Sequence, residues 1–117
     1  MKLLTQKIKK QLPPMLTTED IPCREKTFVC KFFNPMGPQT WYVCEGAPTC
    51  TGEDFEFFGM VDLGMGQEWG YFRLSELEKV GNSTGVPIER DIHFENERAC
   101  EYMEEEPIFS CSIMSPL

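Results

Sequence analysis

A chain of 117 residues with 41% hydrophobic and 26% charged content has the size and composition of one globular domain. Its formal charge of −8 is unevenly placed: residues 1–33 hold seven Lys and Arg against three acids, a net of +4, and the rest hold four against sixteen, a net of −12. Such an acidic body repels nucleic-acid phosphates and favours basic protein surfaces, although acids also serve simply as a solubilising surface, and no apolar run approaches a membrane span.

In chain order, Leu4, Ile8 and Leu12 recur every four residues with Lys7, Lys9 and Lys10 between them. This predicts a short amphipathic helix, capped by Thr5 and ended by Pro13 and Pro14. Three apolar residues are too few for stable insertion into a membrane, so the helix is expected to pack on a sheet. The opening dodecapeptide has no apolar core of signal-peptide length, so the expectation is a cytoplasmic chain with reduced thiols at Cys23, Cys30, Cys44, Cys50, Cys100 and Cys111. No pair of these shows the two-residue spacing of a zinc knuckle, and His93 is the sole histidine, so no metal or cofactor is expected.

Four strand-like runs follow: 27–33 (TFVCKFF), 40–45 (TWYVCE), 54–63 (DFEFFGMVDL) and 68–74 (EWGYFRL), parted by turn residues rich in Gly and Pro. Alternation in the third run places Phe55, Phe57, Gly59, Val61 and Leu63 on one face and Asp54, Glu56, Phe58, Met60 and Asp62 on the other. Phe58 and Met60 imply that the second face is also partly covered, by a helix or by the C-terminal segment. Twelve per cent aromatic content lets such a small sheet hold together without staples.

Ser75 and Glu78 then have the spacing of a capping box, opening a helix of about two turns with Leu77 and Val80 as its apolar pair and Gly81 as its stop. Residues 88–94 (IERDIHF) read as a closing strand that aligns Glu89, Asp91 and His93 on one face, a set able to ligate a divalent metal or act as acid and base. The same pattern arises on any solvated strand face. Gly64 and Gly66 belong to a turn, lacking the longer glycine pattern of a phosphate loop. These elements predict an α+β fold: a mainly antiparallel sheet of about five strands, an N-terminal helix, and a short helix after the fourth strand. Residues 1–96 form the domain, and 97–117 an acidic C-terminal segment, packed through Tyr102, Ile108 and Phe109 or partly loose.

The segments LLTQKIKKQLP, KFFNPMGPQTWYVCEG, DFEFFGMVDL, EWGYFRLSELEKV and GVPIERDIHF, in that order over residues 3–94, resemble the family named Domain of Unknown Function 2958. The resemblance implies an accessory role in mobile DNA, since the family is associated with plasmids, phages and integrative elements and sometimes with antirestriction-type domains. It implies no active site. The cysteines and residues 101–117 lie outside the resembling pattern.

Three functions are compatible with these residues. The first is a non-enzymatic accessory protein of a mobile element that binds a host or defence protein, such as a CRISPR or restriction nuclease, on its basic surface. Glu95, Glu97, Glu101, Glu104, Glu105 and Glu106 would then carry binding, with no direct nucleic-acid or membrane contact. The second is a metal-dependent hydrolase or nuclease using Glu89, Asp91 and His93. The third is a nucleic-acid-binding module using Lys2, Lys7, Lys9, Lys10, Lys26 and Lys31 with Trp41 or Tyr42 stacking, against which the net charge argues.

Overall fold

A computed structural model describes residues 2–104. Helix α1 (Gln6–Gln11) is followed by strands β1 (Thr27–Phe28), β2 (Cys30–Phe33), β3 (Thr40–Pro48), β4 (Phe55–Asp62) and β5 (Gln67–Arg73). Helix α2 (Leu74–Thr84) and strands β6 (Glu89–Arg90) and β7 (Glu97–Arg98) complete the order, with single 3-10 turns at Cys23–Glu25 and Ala99–Glu101. Strands β5-β4-β3-β2-β6 form an antiparallel five-stranded sheet, and β1 pairs with β7 in a separate ribbon. The expected α+β architecture is present, with α2 directly after the fourth run read from the sequence.

Both faces of the sheet carry a covering layer. On the first face Phe32, Trp41, Val43, Phe57 and Phe72 pack against Leu4, Ile8 and Leu12 from α1 and its flanks, and against Leu77 from α2. On the second, Tyr42, Cys44, Met60 and Trp69 pack beneath Cys23, Phe28 and Ala99, with Phe94, Tyr102 and Met103 alongside. The second-face cover anticipated from Phe58 and Met60 is, among the described residues, the ribbon with residues 94–103.

The run 27–33 was expected as one strand and is two. Phe28 turns into the second-face cluster and stacks on Tyr42 and Trp69 at 5.0 and 5.6 Å, whereas Cys30 and Phe32 face the helices. The chain therefore changes layers at Val29. A second irregularity lies in β3: Val43 pairs with Gly59 but Glu45 with Phe58, so one residue is extra. This β-bulge puts both Cys44 and Glu45 on the second face.

Two helix ends are as expected and two differ. Thr5 caps α1 by accepting from Ile8 N–H at 3.2 Å, and the helix ends ahead of Pro13. Helix α2 begins two residues earlier than the Ser75 box requires, because β5 runs straight into it. Glu76, not Glu78, reaches back, accepting from Arg73 N–H at 2.9 Å. Ser75 instead bonds across to Asp54, its hydroxyl donating to Oδ2 at 2.6 Å and its N–H to Oδ1 at 3.2 Å. The helix also continues through Gly81 to end at Gly85, whose φ of +79° is the left-handed stop that glycine adopts without steric cost.

Candidate functional site

Glu45 is a carboxylate at only 2% exposure inside the otherwise apolar run of β3. A buried carboxyl group needs hydrogen-bond partners. The bulge turns Glu45 towards the loop after α1, where its carboxylate accepts from Leu16 N–H at 2.8 Å, Thr18 N–H at 3.0 Å and the Thr18 hydroxyl. Leu16 holds φ at +69°, a conformation that costs an L residue about 1–2 kcal/mol and persists only where neighbours fix it. Here Glu45 does so. Lys26, at 5% exposure, donates through Nζ to the Thr18 carbonyl and to its hydroxyl at 3.0 Å, and lies 5.8 Å from the Phe58 ring centroid. Thr18 thus bridges a buried acid and a buried ammonium, each compensating the other.

The network removes residues from the nucleic-acid reading. Lys26 points inward, Lys31 sits 3.7 Å from Asp91, and Trp41 and Tyr42 are buried at 7% and 8% exposure, where no base can stack on them. Lys2, Lys7, Lys9 and Lys10 are exposed on the helix side of the sheet.

The strand face that would align Glu89, Asp91 and His93 for the alternative, metal-dependent reading is not assembled either. The closing strand is only two residues long, since β6 pairs Arg90 with Phe32 and Glu89 with Phe33 and then stops. Asp91 turns away to receive His93 N–H on Oδ1 at 3.0 Å while facing Lys31. Strand alternation, the premise that aligned Glu89, Asp91 and His93, ends at Arg90. Among the described residues no three His, Cys, Asp or Glu side chains are grouped to hold a metal ion.

The acids assigned to binding fall in two places. Glu97, Glu101 and Glu104 belong to the stretch that covers the second face: Glu97 pairs with Phe28 in the ribbon, Glu101 closes the turn after it, and Glu104 N–H donates to Gln67 Oε1 at 2.8 Å. Glu97 accepts from the Tyr102 hydroxyl, which pushes that phenol up to about 12. Glu101 and Glu104 are exposed. Glu95 sits apart, lining a small cleft of about 180 Å³ with Lys7, Arg90 and Asp91. Glu105 and Glu106, like Ile108, Phe109 and Cys111, lie outside the described residues.

A larger cleft of about 350 Å³ between the start of the chain and α2 is lined by Leu4, Leu74, Leu77 and Ile88 with Lys2 and Lys9. Cys30, on the wall of the smaller cleft, has its thiol pushed up to about 12 by burial and is protonated at neutral pH, so it is no nucleophile. Burial does the same to Cys44. Cys30, Cys44, Cys50 and Cys100 are free, whereas Cys23, expected as a reduced thiol, is disulfide-bonded.

A family model described as "Protein of unknown function (DUF2958)" matches residues 3–106. The chain belongs to the DUF2958 family. The match continues past Phe94, where the recognised segments end, and so takes in β7 and the second-face cover. No curated protein and no solved structure matches significantly. No helix among the described residues of this family member is long and apolar enough to cross a membrane.

Sequence reading missed Glu45 and assigned Lys26 to the surface. The signal for Glu45 was available: an acid between Val43-Cys44 and Gly46-Ala47, within a run of apolar residues. Lys26 carried no such mark, because its partner Thr18 is supplied by a loop whose path the sequence does not display.

Proposed function

We propose that this DUF2958 protein is a non-enzymatic, acidic accessory protein of a mobile genetic element that binds a host or defence protein through that protein's basic, nucleic-acid-binding surface. The observation that carries the reading is the net of −12 over residues 34–117, to which the second-face cover contributes Glu97, Glu101 and Glu104. Complementary charge of this kind accelerates encounter and selects partners, and it weakens as salt screens it. The family's association with plasmids, phages and integrative elements supports the mobile-element setting. An anti-CRISPR or antirestriction inhibitor is the specific form favoured, because a nuclease's DNA channel is a basic surface that an acidic protein can occupy.

The test is affinity capture of the tagged protein from lysate of its own host at low and at high salt, with mass spectrometry of the retained proteins. A stoichiometric basic, nucleic-acid-binding protein held at low salt and released at high salt is the expected result. Recovery of the bait alone under both conditions would count against the reading.

A further inference from the structure

The cover over the second face is incomplete. It shelters Tyr42, Met60 and Trp69, but Tyr71, two residues beyond Trp69 on the same face of β5, remains 55% exposed. Tyr71 lies directly across from Phe58, their ring centroids 5.0 Å apart, and Phe58 itself is only partly buried. The Lys26 ammonium lies over the Phe58 ring at 5.8 Å from its centroid, so one ring of the pair already receives a cation from within the molecule. The other ring faces solvent. Around it stand Glu56, which meets Arg73 at 3.9 Å in the next register pair, and the loop pinned by Glu45, which presents Glu19 after Thr18. Burial, followed by the charges of Glu45, Glu19 and Glu56, raises the Tyr71 phenol above its ordinary value, consistent with a negative field at this ring.

Resting on the proposed acidic-protein reading, we infer that the Tyr71–Phe58 pair with Glu19 and Glu56 is the anchor point for a guanidinium or ammonium side chain of the basic partner. Three features converge there. Tyrosine supplies large, rigid contact area and a π-face that attracts cations. Carboxylates flanking the ring add a charge that neither an apolar nor an anionic ligand would use. The ring is held by strand pairing and by its neighbour Phe58, so little side-chain freedom is lost on binding.

The probe is a short synthetic peptide of alternating arginine and glycine, titrated into the full-length labelled protein at low salt and followed by NMR. The expected result is movement of the Tyr71 ring protons and of the backbone signals of Phe58 and Glu56. Tyr71→Ala should weaken binding roughly three- to tenfold, and Tyr71→Phe, which keeps the π-face, should restore it. Ring-proton shifts in the unaltered protein report the contact whether or not a variant folds well. If the peptide instead moves only signals near Glu101 and Glu104, and Tyr71→Ala binds as tightly as the parent, the anchor is wrong and the acidic-protein reading stands. No shift anywhere at low salt overturns both.

Discussion

At the residue scale, two side-chain positions decide whether the sheet can form as it does. Gly59 sits opposite Val43 just ahead of the β3 bulge, and a Cβ there would lie 1.8 Å from the Tyr42 carbonyl oxygen. Backbone cannot retreat as a flexible side chain can, so Gly59→Ala should cost about 3 kcal/mol or more, at the upper end of overpacking effects. Urea denaturation measures this, and a variant as stable as the parent would show that the strands are not this close. Glu45 is the second position. Glu45→Ala would leave the Leu16 and Thr18 amides unpaired and the Lys26 ammonium buried without its acid, a loss of roughly 3–5 kcal/mol in the same assay. A loss below about 1 kcal/mol would place the loop after α1 elsewhere. Alternation told the face of Gly59 correctly, but the need for glycine comes from the bulge, and bulges leave no periodic trace. Phe55 and Phe57, by contrast, were legible as core from their place on the apolar face of the third run.

At the element scale, local signals succeeded where the chain obeys local rules. Thr5 and the Pro13-Pro14 pair bound α1 because capping and proline chemistry act within a few residues. The start of α2 was misplaced because its capping partner is Asp54, which lies 21 residues away in the hairpin between β3 and β4. That contact makes a testable claim about pH. The Ser75 hydroxyl bond, then the amides of Phe55 and Ser75 and the charge of Arg73, hold the Asp54 carboxyl below its ordinary value. A carboxyl depressed in the folded state adds stability that is complete above the unfolded value of about 3.9 and is lost as pH falls through the folded one. Denaturation midpoints should therefore fall more steeply below pH 4 for the parent than for Asp54→Asn, which cannot titrate at this site. Parallel pH profiles would remove the contact. The run 27–33 illustrates the opposite difficulty: its composition says strand throughout, yet Phe28 and Cys30 serve different layers, a distinction set by which partner strand each meets.

At the scale of the whole molecule, the two layers carry different mixtures of charge, the second holding Arg24 and Arg98 beside its acids and the first Glu76 and Glu78 on α2. The exposed lysines of the N-terminal segment lie with the helices on the first face, and Glu97, Glu101 and Glu104 lie on the layer over the second, where Tyr71 is also open. The charge imbalance between the halves of the chain was visible in the sequence, but the placing of Glu97, Glu101 and Glu104 over the second face was not, because it depends on Glu97 and Arg98 crossing back to pair with Phe28 and Thr27. The alternative alignment of Glu89, Asp91 and His93 did not form for a related reason: two register pairs do not sustain alternation through His93. The central claim is that the acidic cover over the second face carries binding. Its most direct measurement is the affinity of a captured basic protein for the parent and for a Glu97→Lys, Glu101→Lys, Glu104→Lys variant at low salt. Loss of binding by the variant, with its fold intact by circular dichroism, is the predicted result, and equal affinity of the two proteins would contradict it.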